Sequence, residues 1–247
     1  MIASLSAPEI AYCIAVVLIA YGLRGSTGFG GAVGMPLLAL VIPIKVLVPV
    51  WTLLGVTSSI AIVGHDRKHV SGRDFVAFIP WCVIGIAIGL YFFTLLDSRS
   101  LARGLGALIL VYAAYVLWST FRPARLRAGS RGLGPLAGAL SGIVGTLFGT
   151  MGTVFFAMYL DVRALPKEAF RATMSAMLLT LSLLRGIGYY ATGEFTRDAL
   201  ILFAAILPVM FAGIYAGDRI HVRLSDLTFR RLVGVTLVLC GVPLLLR

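Results

Sequence analysis

The feature that most constrains this chain is a glycine-rich run, Gly22 to Pro36, which lies between two apolar stretches. The run holds six glycines and one arginine, and its flanks at 10–21 and 37–44 are apolar enough for a membrane interior. Glycine weakens a helix and proline stops one, so the run predicts a loop. Irregular backbone persists at membrane depth only where protein or a wet cavity surrounds it. We therefore predict a discontinuous helix pair whose broken ends form a binding site.

The composition predicts a polytopic membrane protein. Of the 247 residues, 60% are hydrophobic and 13% are charged, whereas soluble domains carry about 25% charged residues. The net charge of +11 comes from basic residues in short loops between apolar runs, where they set topology and do not indicate nucleic-acid binding. The three cysteines lie singly and form no CxxC pair, which argues against thiol-redox chemistry.

Ten apolar segments can be read against the length of about 20 residues that a membrane helix needs. They lie at 8–24, 27–44, 46–64, 75–96, 101–121, 133–148, 150–163, 169–191, 198–217 and 229–246. The first, second, sixth and seventh segments are short and interrupted by glycine. The sequence leaves open whether these four cross the membrane or re-enter it. The predicted fold class is an all-α polytopic membrane protein.

The chain reads as two transmembrane repeats, 1–121 and 133–247, joined by a basic linker at 122–132. Four landmarks recur at an offset of 128, namely Pro80, Gly85, Gly89 and Gly106 with Pro208, Gly213, Gly217 and Gly234. Two further pairs recur at an offset of 117, Gly25 with Gly142 and Gly28 with Gly145. Shared helix-packing composition is the alternative explanation, and we expect Gly85, Gly89, Gly213 and Gly217 to serve close helix contact.

The loop charges predict that the second repeat is inverted relative to the first. Fourteen Lys and Arg residues fall on one side and five on the other. The basic side comprises the loops 65–74, 122–132, 161–171 and 218–231. By the positive-inside rule this side is cytoplasmic, so both termini lie outside. Each inverted-topology repeat then holds one glycine-interrupted, crossing or re-entrant helix pair and three transmembrane helices.

The second repeat has its own glycine run, Gly138 to Gly152. Under inversion the two runs approach from opposite faces and meet near the midplane. Helices restarting at Gly31 and Gly152 would point free N–H groups and positive dipole ends at an anion there. The candidate substrate-binding residues are Arg24, Gly25, Ser26, Thr27, Gly28, Gly30, Gly31, Gly145, Thr146, Gly149, Thr150, Gly152, Thr153 and Arg185.

Arg24 and Arg185 are the two basic residues inside apolar segments. A charged side chain at bilayer depth costs free energy, so such a residue is first considered as part of a functional site. The planar guanidinium of arginine matches the geometry of an oxyanion. The alternative for Arg24 is snorkelling or pairing with a backbone carbonyl at the helix break, and for Arg185 it is snorkelling.

The apolar segments do not carry the residues expected of a cation site, a proton relay or a metal site. No Asp or Glu lies in the middle of any segment, which disfavours a cation site and a carboxylate proton relay. His65 and His69 are spaced for a metal, but closed metal sites usually need more ligands. We therefore expect no metal, no cofactor and no enzymatic activity.

The two glycine runs, the duplicated halves and the basic linker resemble the TauE/SafE sulfite-exporter family of bacterial membrane proteins. The stretch Gly25 to Gly31, followed by Pro36, fits the small-residue run that opens each half of that family. The chain departs from the pattern at Arg24, a position that is usually small, and in having no proline near Thr153.

The resemblance implies a secondary transporter of a small anion. It favours export across the bacterial inner membrane. Sulfite, a sulfonate such as sulfoacetate, or another small sulfur-containing or organic anion is the implied substrate. The expected partners are that anion and the lipid bilayer, and a homo-oligomer is compatible with the sequence. An anion channel without alternating access and an intramembrane enzyme are the alternatives.

Overall fold

The computed structural model describes residues 6–27, 31–63, 72–121, 133–162, 167–219 and 226–246. These ranges contain ten α-helices and one short 3-10 helix. The first five are α1 (Ala7–Thr27), α2 (Gly31–Ala39), α3 (Ile44–Val63), α4 (Gly72–Leu95) and α5 (Ser98–Phe121). The others are α6 (Leu133–Phe148), the 3-10 helix (Gly149–Gly152), α7 (Thr153–Val162), α8 (Lys167–Ala191), α9 (Arg197–Arg219) and α10 (Asp226–Leu246). The prediction of an all-helical chain is confirmed in the described ranges.

Several of these helices have the length and the apolarity that a bilayer requires. Three described stretches are long and apolar enough to cross a membrane: Ala7–Arg24, Phe75–Leu95 and Arg197–Gly217. α4 shows how such a helix divides its surface, because Phe78 and Phe93 are fully buried while Val76 and Leu95 are about two-thirds exposed. A large exposed apolar face fits lipid, whose tails are as apolar as leucine.

The helix break in the first glycine run is shorter than the sequence predicted. α1 continues through Gly22 and Gly25 to Thr27, and α2 begins at Gly31 with Pro36 inside it. The loop predicted from Gly22 to Pro36 is therefore too long, because most of its residues are helical. Residues 28–30 lie outside the described residues. In apolar surroundings each unsatisfied backbone group costs several kcal/mol, so helical bonding is kept wherever sterics allow. α1 and α2 are separate helices, and the form of the break between them stays a prediction.

The helices cluster into two compact units. Unit 1 comprises Met1–Leu47, Leu96–Leu126 and Ala205–Arg247, and unit 2 comprises Val48–Leu95 and Arg127–Ala204. Within unit 1, α2 packs with α1, and α10 packs against α5 and α2. Within unit 2, α6 packs with α4 and α7, and α8 packs with α4 and α7. Each unit therefore takes helices from both predicted repeats, and the repeat boundaries at 121 and 133 stay a prediction.

In unit 2, glycines let α4 approach α6 until the backbones touch. A Cβ placed on Gly85 would lie 2.2 Å from the carbonyl oxygen of Ala139. One placed on Gly89 would lie 3.1 Å from the carbonyl oxygen of Ile143. Neither position has room for a side chain without movement of the partner helix, so the predicted packing role of these two glycines is confirmed.

In unit 1, α9 approaches α1 through the matching pair of glycines. A Cβ on Gly213 would lie 3.0 Å from the carbonyl oxygen of Leu18, and one on Gly217 would lie 2.1 Å from that of Gly22. The predicted packing role of Gly213 and Gly217 is therefore confirmed as well.

These contacts correct the register between the two glycine runs. The α1 residues that meet α9, Leu18 and Gly22, correspond to the α6 residues that meet α4, Ala139 and Ile143, at an offset of 121. The offset of 117 read from glycine spacing is therefore wrong for these helices, because close packing fixes which face each helix presents. The corrected register equates the C-terminal ends of α1 and α6, at Thr27 and Phe148.

Candidate functional site

In unit 2, α6 and α7 form an antiparallel hairpin joined by the 3-10 helix. At the joined end, the Ser141 hydroxyl donates a hydrogen bond to the carbonyl of Gly152 at 2.9 Å. At the open end, a Cβ on Gly134 would lie 3.4 Å from the ring of Tyr159. α7 has ten residues, about 15 Å of helix, or roughly half of a hydrocarbon core of about 30 Å. α7 is therefore too short to cross a bilayer alone.

The tip of this hairpin explains two glycines that the sequence assigned to substrate binding. Gly149 has a φ of 65° at the position just after α6, where the left-handed conformation ends a helix and glycine is the usual residue. A Cβ on Gly152 would lie 2.5 Å from the carbonyl oxygen of Ser141 and 2.7 Å from the Cα of Gly145. The chain reversal itself thus requires glycine at both positions.

Arg185 reaches from α8 into the same tip and binds backbone oxygens. Its side chain is 6% exposed. One terminal nitrogen, Nη1, donates to the carbonyls of Gly145 and Gly149, the second of these at 3.0 Å. Nη2 donates to the Ser182 hydroxyl at 3.3 Å, and Nε donates to the Leu181 carbonyl at 3.4 Å. The C-terminal end of a helix carries partial negative charge, so this is a favourable place for a guanidinium. The snorkelling alternative does not describe this residue.

Tyr189, one turn after Arg185 on α8, holds a third carbonyl of the same helix end. Its hydroxyl donates to the carbonyl of Thr146, and its buried ring packs on Phe93 at 5.1 Å between centroids. The Thr146 hydroxyl donates within α6, to the carbonyl of Gly142 at 2.7 Å. Sequence reasoning missed Tyr189, although its spacing of four residues from Arg185 places both on one helix face.

In unit 1, the broken helix carries a basic residue of its own. Arg24 lies in the last turn of α1 and is 5% exposed. Its guanidinium carbon lies 5.9 Å from the centre of the Tyr21 ring, within range of a cation–π contact. The Tyr12 hydroxyl donates to the carbonyl of Leu37 in α2 at 3.1 Å, which ties α2 to α1. α2 has nine residues, about 14 Å of helix, and is also too short to cross alone.

The remaining candidates are placed only by their backbone or lie outside the described part. Gly28 and Gly30 lie outside it, as do His65 and His69. The backbones of Gly25, Ser26 and Thr27 belong to the last turns of α1, that of Gly31 opens α2, that of Thr150 is in the 3-10 helix, and Thr153 opens α7. The side chains of Ser26, Thr27 and Thr150 are not among those described. Across the described residues, no group of His, Cys, Asp or Glu is suited to hold a metal ion.

Helices apolar enough to span a membrane and two helices too short to cross it alone, α2 and α7, are features of membrane transporters built on discontinuous helices. The family model described as "Sulfite exporter TauE/SafE" matches residues 13–244, nearly the whole chain. The chain belongs to the TauE/SafE sulfite exporter family, which is a family of membrane transporters, and the resemblance noted in the sequence is confirmed. Comparison with curated proteins gave no match, and neither did comparison with solved structures.

Proposed function

We propose that the protein is a secondary transporter that exports a small sulfur-containing or organic anion, such as sulfite or sulfoacetate, across the bacterial inner membrane. The observation that carries this proposal is the sign of the buried charge. Among the described residues, the buried charged side chains are Arg24 and Arg185, and both are positive. Buried cationic groups attract anions and repel cations. Arg185 already binds carbonyls at the end of α6, so Arg24 is the charge that we assign to the anion.

We assign the contact with the anion to the break between α1 and α2. Arg24 lies in the last turn of α1, and α2 begins at Gly31. A guanidinium gives two parallel donors to an oxyanion, and the first turn of a helix adds unpaired amides with partial positive charge. These two elements supply charge and directed donors without a metal or a cofactor.

The direction of transport follows from the membrane potential. With the cytoplasm negative, moving one negative charge outward gains about 2.3 kcal/mol per 100 mV. Export of the anion therefore requires no coupling ion, in keeping with the absence of buried carboxylates among the described residues.

A flux assay with purified protein in proteoliposomes tests the proposed function. Sulfite, sulfoacetate, thiosulfate and acetate are offered separately under an inside-negative potential, with protein-free vesicles as the control. Saturable efflux of at least one anion, together with counterflow of labelled anion, is the expected result. Unsaturable flux without counterflow would indicate a channel instead, and no flux above the control for any of the four would contradict the proposal.

The proposed orientation places both termini outside and the linker around Arg125 in the cytoplasm, on the strength of the loop charges. Single cysteines at Ser4 and Ser130, in a background lacking Cys13, Cys82 and Cys240, are labelled in intact cells with a membrane-impermeant reagent. We expect Ser4→Cys to react and Ser130→Cys to react only after permeabilisation. Reaction of both in intact cells would contradict the inverted repeat.

A further inference from the structure

The end of α6 in unit 2 has an arrangement of oxygen atoms that resembles a cation site. The carbonyl oxygens of Gly145 and Gly149 both lie within hydrogen-bond distance of one nitrogen atom, Nη1 of Arg185. The hydroxyl oxygen of Ser182 lies 3.3 Å from the neighbouring Nη2. Two carbonyls and a hydroxyl therefore converge on one buried positive group.

Such a place is where a transporter with broken helices normally holds a dissolved cation. The C-terminal ends of half-helices and the carbonyls of unwound backbone coordinate sodium ions in these proteins, because both carry partial negative charge. The end of α6 supplies both features, since α6 stops at Phe148 and Gly149 turns the chain with a φ of 65°. In this chain the cationic group at that position is part of α8.

The guanidinium also fits its surroundings closely. A Cβ on Gly145 would lie 3.2 Å from Nη1 of Arg185, so glycine at this position leaves room for the side chain to reach the carbonyls. The guanidinium donates to neutral oxygen atoms of Gly145, Gly149, Leu181 and Ser182. The partial negative charge of the helix end therefore stabilises this buried cation.

We propose that the C-terminal end of α6 is a monovalent-cation site that the protein fills with its own Arg185, so that sodium or potassium is not required there. The side chain acts as a tethered counter-ion for the helix end. When the guanidinium is removed, the oxygens of Gly145, Gly149 and Ser182 become available to a dissolved cation. The native protein, by contrast, gains no stability from a particular monovalent cation at this place.

The test measures the thermal midpoint of purified protein in detergent at one ionic strength, with choline chloride replaced stepwise by sodium, potassium or methylguanidinium chloride. The variants are Arg185→Ala, Arg185→Ser and Arg185→Lys, with the wild type alongside. We expect sodium or potassium to raise the midpoint of Arg185→Ala and Arg185→Ser by roughly 5 °C at saturation, relative to choline. The wild type and Arg185→Lys should show no such difference, because a tethered cation already occupies the site.

Three outcomes would overturn the proposal. One is a midpoint of Arg185→Ala and Arg185→Ser that is the same in every salt. Another is stabilisation by methylguanidinium alone, which would show a pocket shaped for guanidinium and no site for an inorganic cation. The third is failure of both variants to fold in any of the salts while Arg185→Lys folds in choline, because a dissolved cation then cannot replace the side chain.

Discussion

The two broken helices of this protein each end beside a buried arginine, but the arginine comes from a different place in each. In unit 1, Arg24 belongs to the last turn of the broken helix α1 itself. In unit 2, Arg185 comes from α8 and binds the last carbonyls of α6. Arg185, supplied by another helix, binds the end of α6, whereas Arg24 is carried on α1, beside the break to which we propose that the anion binds. From this difference we expect a structural role for Arg185, and we propose anion binding for Arg24.

The largest effect on stability should come from Arg185→Met, which keeps an unbranched apolar side chain and removes its charge and donors. The carbonyls of Gly145 and Gly149 would lose the donor they share, and an unsatisfied buried acceptor costs about 1–3 kcal/mol. We expect a clear drop of the thermal midpoint in choline chloride. The control is Arg197→Met, an exposed position in the same unit, which should leave the midpoint unchanged. An equal midpoint for both variants would remove the bracing role of Arg185.

A smaller loss of stability is expected for Gly152→Ala at the tip of the α6–α7 hairpin. The added methyl would overlap backbone atoms of Ser141 and Gly145, and such overpacking costs about 1–3 kcal/mol. Gly186→Ala is the matched control, because a Cβ on Gly186 meets nothing within 4 Å. The control should be neutral or slightly stabilising, since alanine favours a helix more than glycine does. If Gly152→Ala instead kept its midpoint but no longer bound sulfite, the tip would belong to the binding site.

The smallest of the three effects is expected for Tyr189→Phe. The ring and its packing on Phe93 are retained, and only the hydroxyl that donates to the Thr146 carbonyl is lost. Such a loss costs about 1 kcal/mol. Tyr190→Phe removes a hydroxyl from the next residue, which is 79% exposed, and should have no effect on the midpoint. Identical midpoints for the two variants would show that this hydrogen bond does not hold the helix end.

The helices could be predicted from the sequence, but the different origins of the two buried arginines could not. Ten apolar segments predicted ten helices, and the glycine run predicted the break before α2, because local composition decides where a membrane helix can form. Local composition does not predict the hydrogen-bond partners of Arg185. Gly145 and Gly149 lie 40 and 36 residues before Arg185 in the chain, so only the tertiary fold brings the three residues together.

The packing register between the two glycine runs was likewise hidden from the sequence. Glycine is so frequent here that several offsets align some glycines, and the offset of 117 aligned Gly25 and Gly28 with Gly142 and Gly145. The structure selects 121, because Gly213 and Gly217 touch α1 where Gly85 and Gly89 touch α6. A glycine can contact the backbone of any residue type, so the sequence does not show which residues it meets. Choosing between the two offsets therefore required the structure.

The most direct test of the account is a calorimetric titration of folded, purified Arg24→Ala with sulfite, compared with the wild type and with Arg185→Lys. Removing the partner of a desolvated charged ligand costs about 2–5 kcal/mol, so Arg24→Ala should raise the dissociation constant about 30-fold or more. Arg185→Lys keeps a cation at the α6 end and should bind sulfite within a few-fold of the wild type. An unchanged dissociation constant for Arg24→Ala, or an equal loss in both variants, would contradict the assignment of anion binding to the first break.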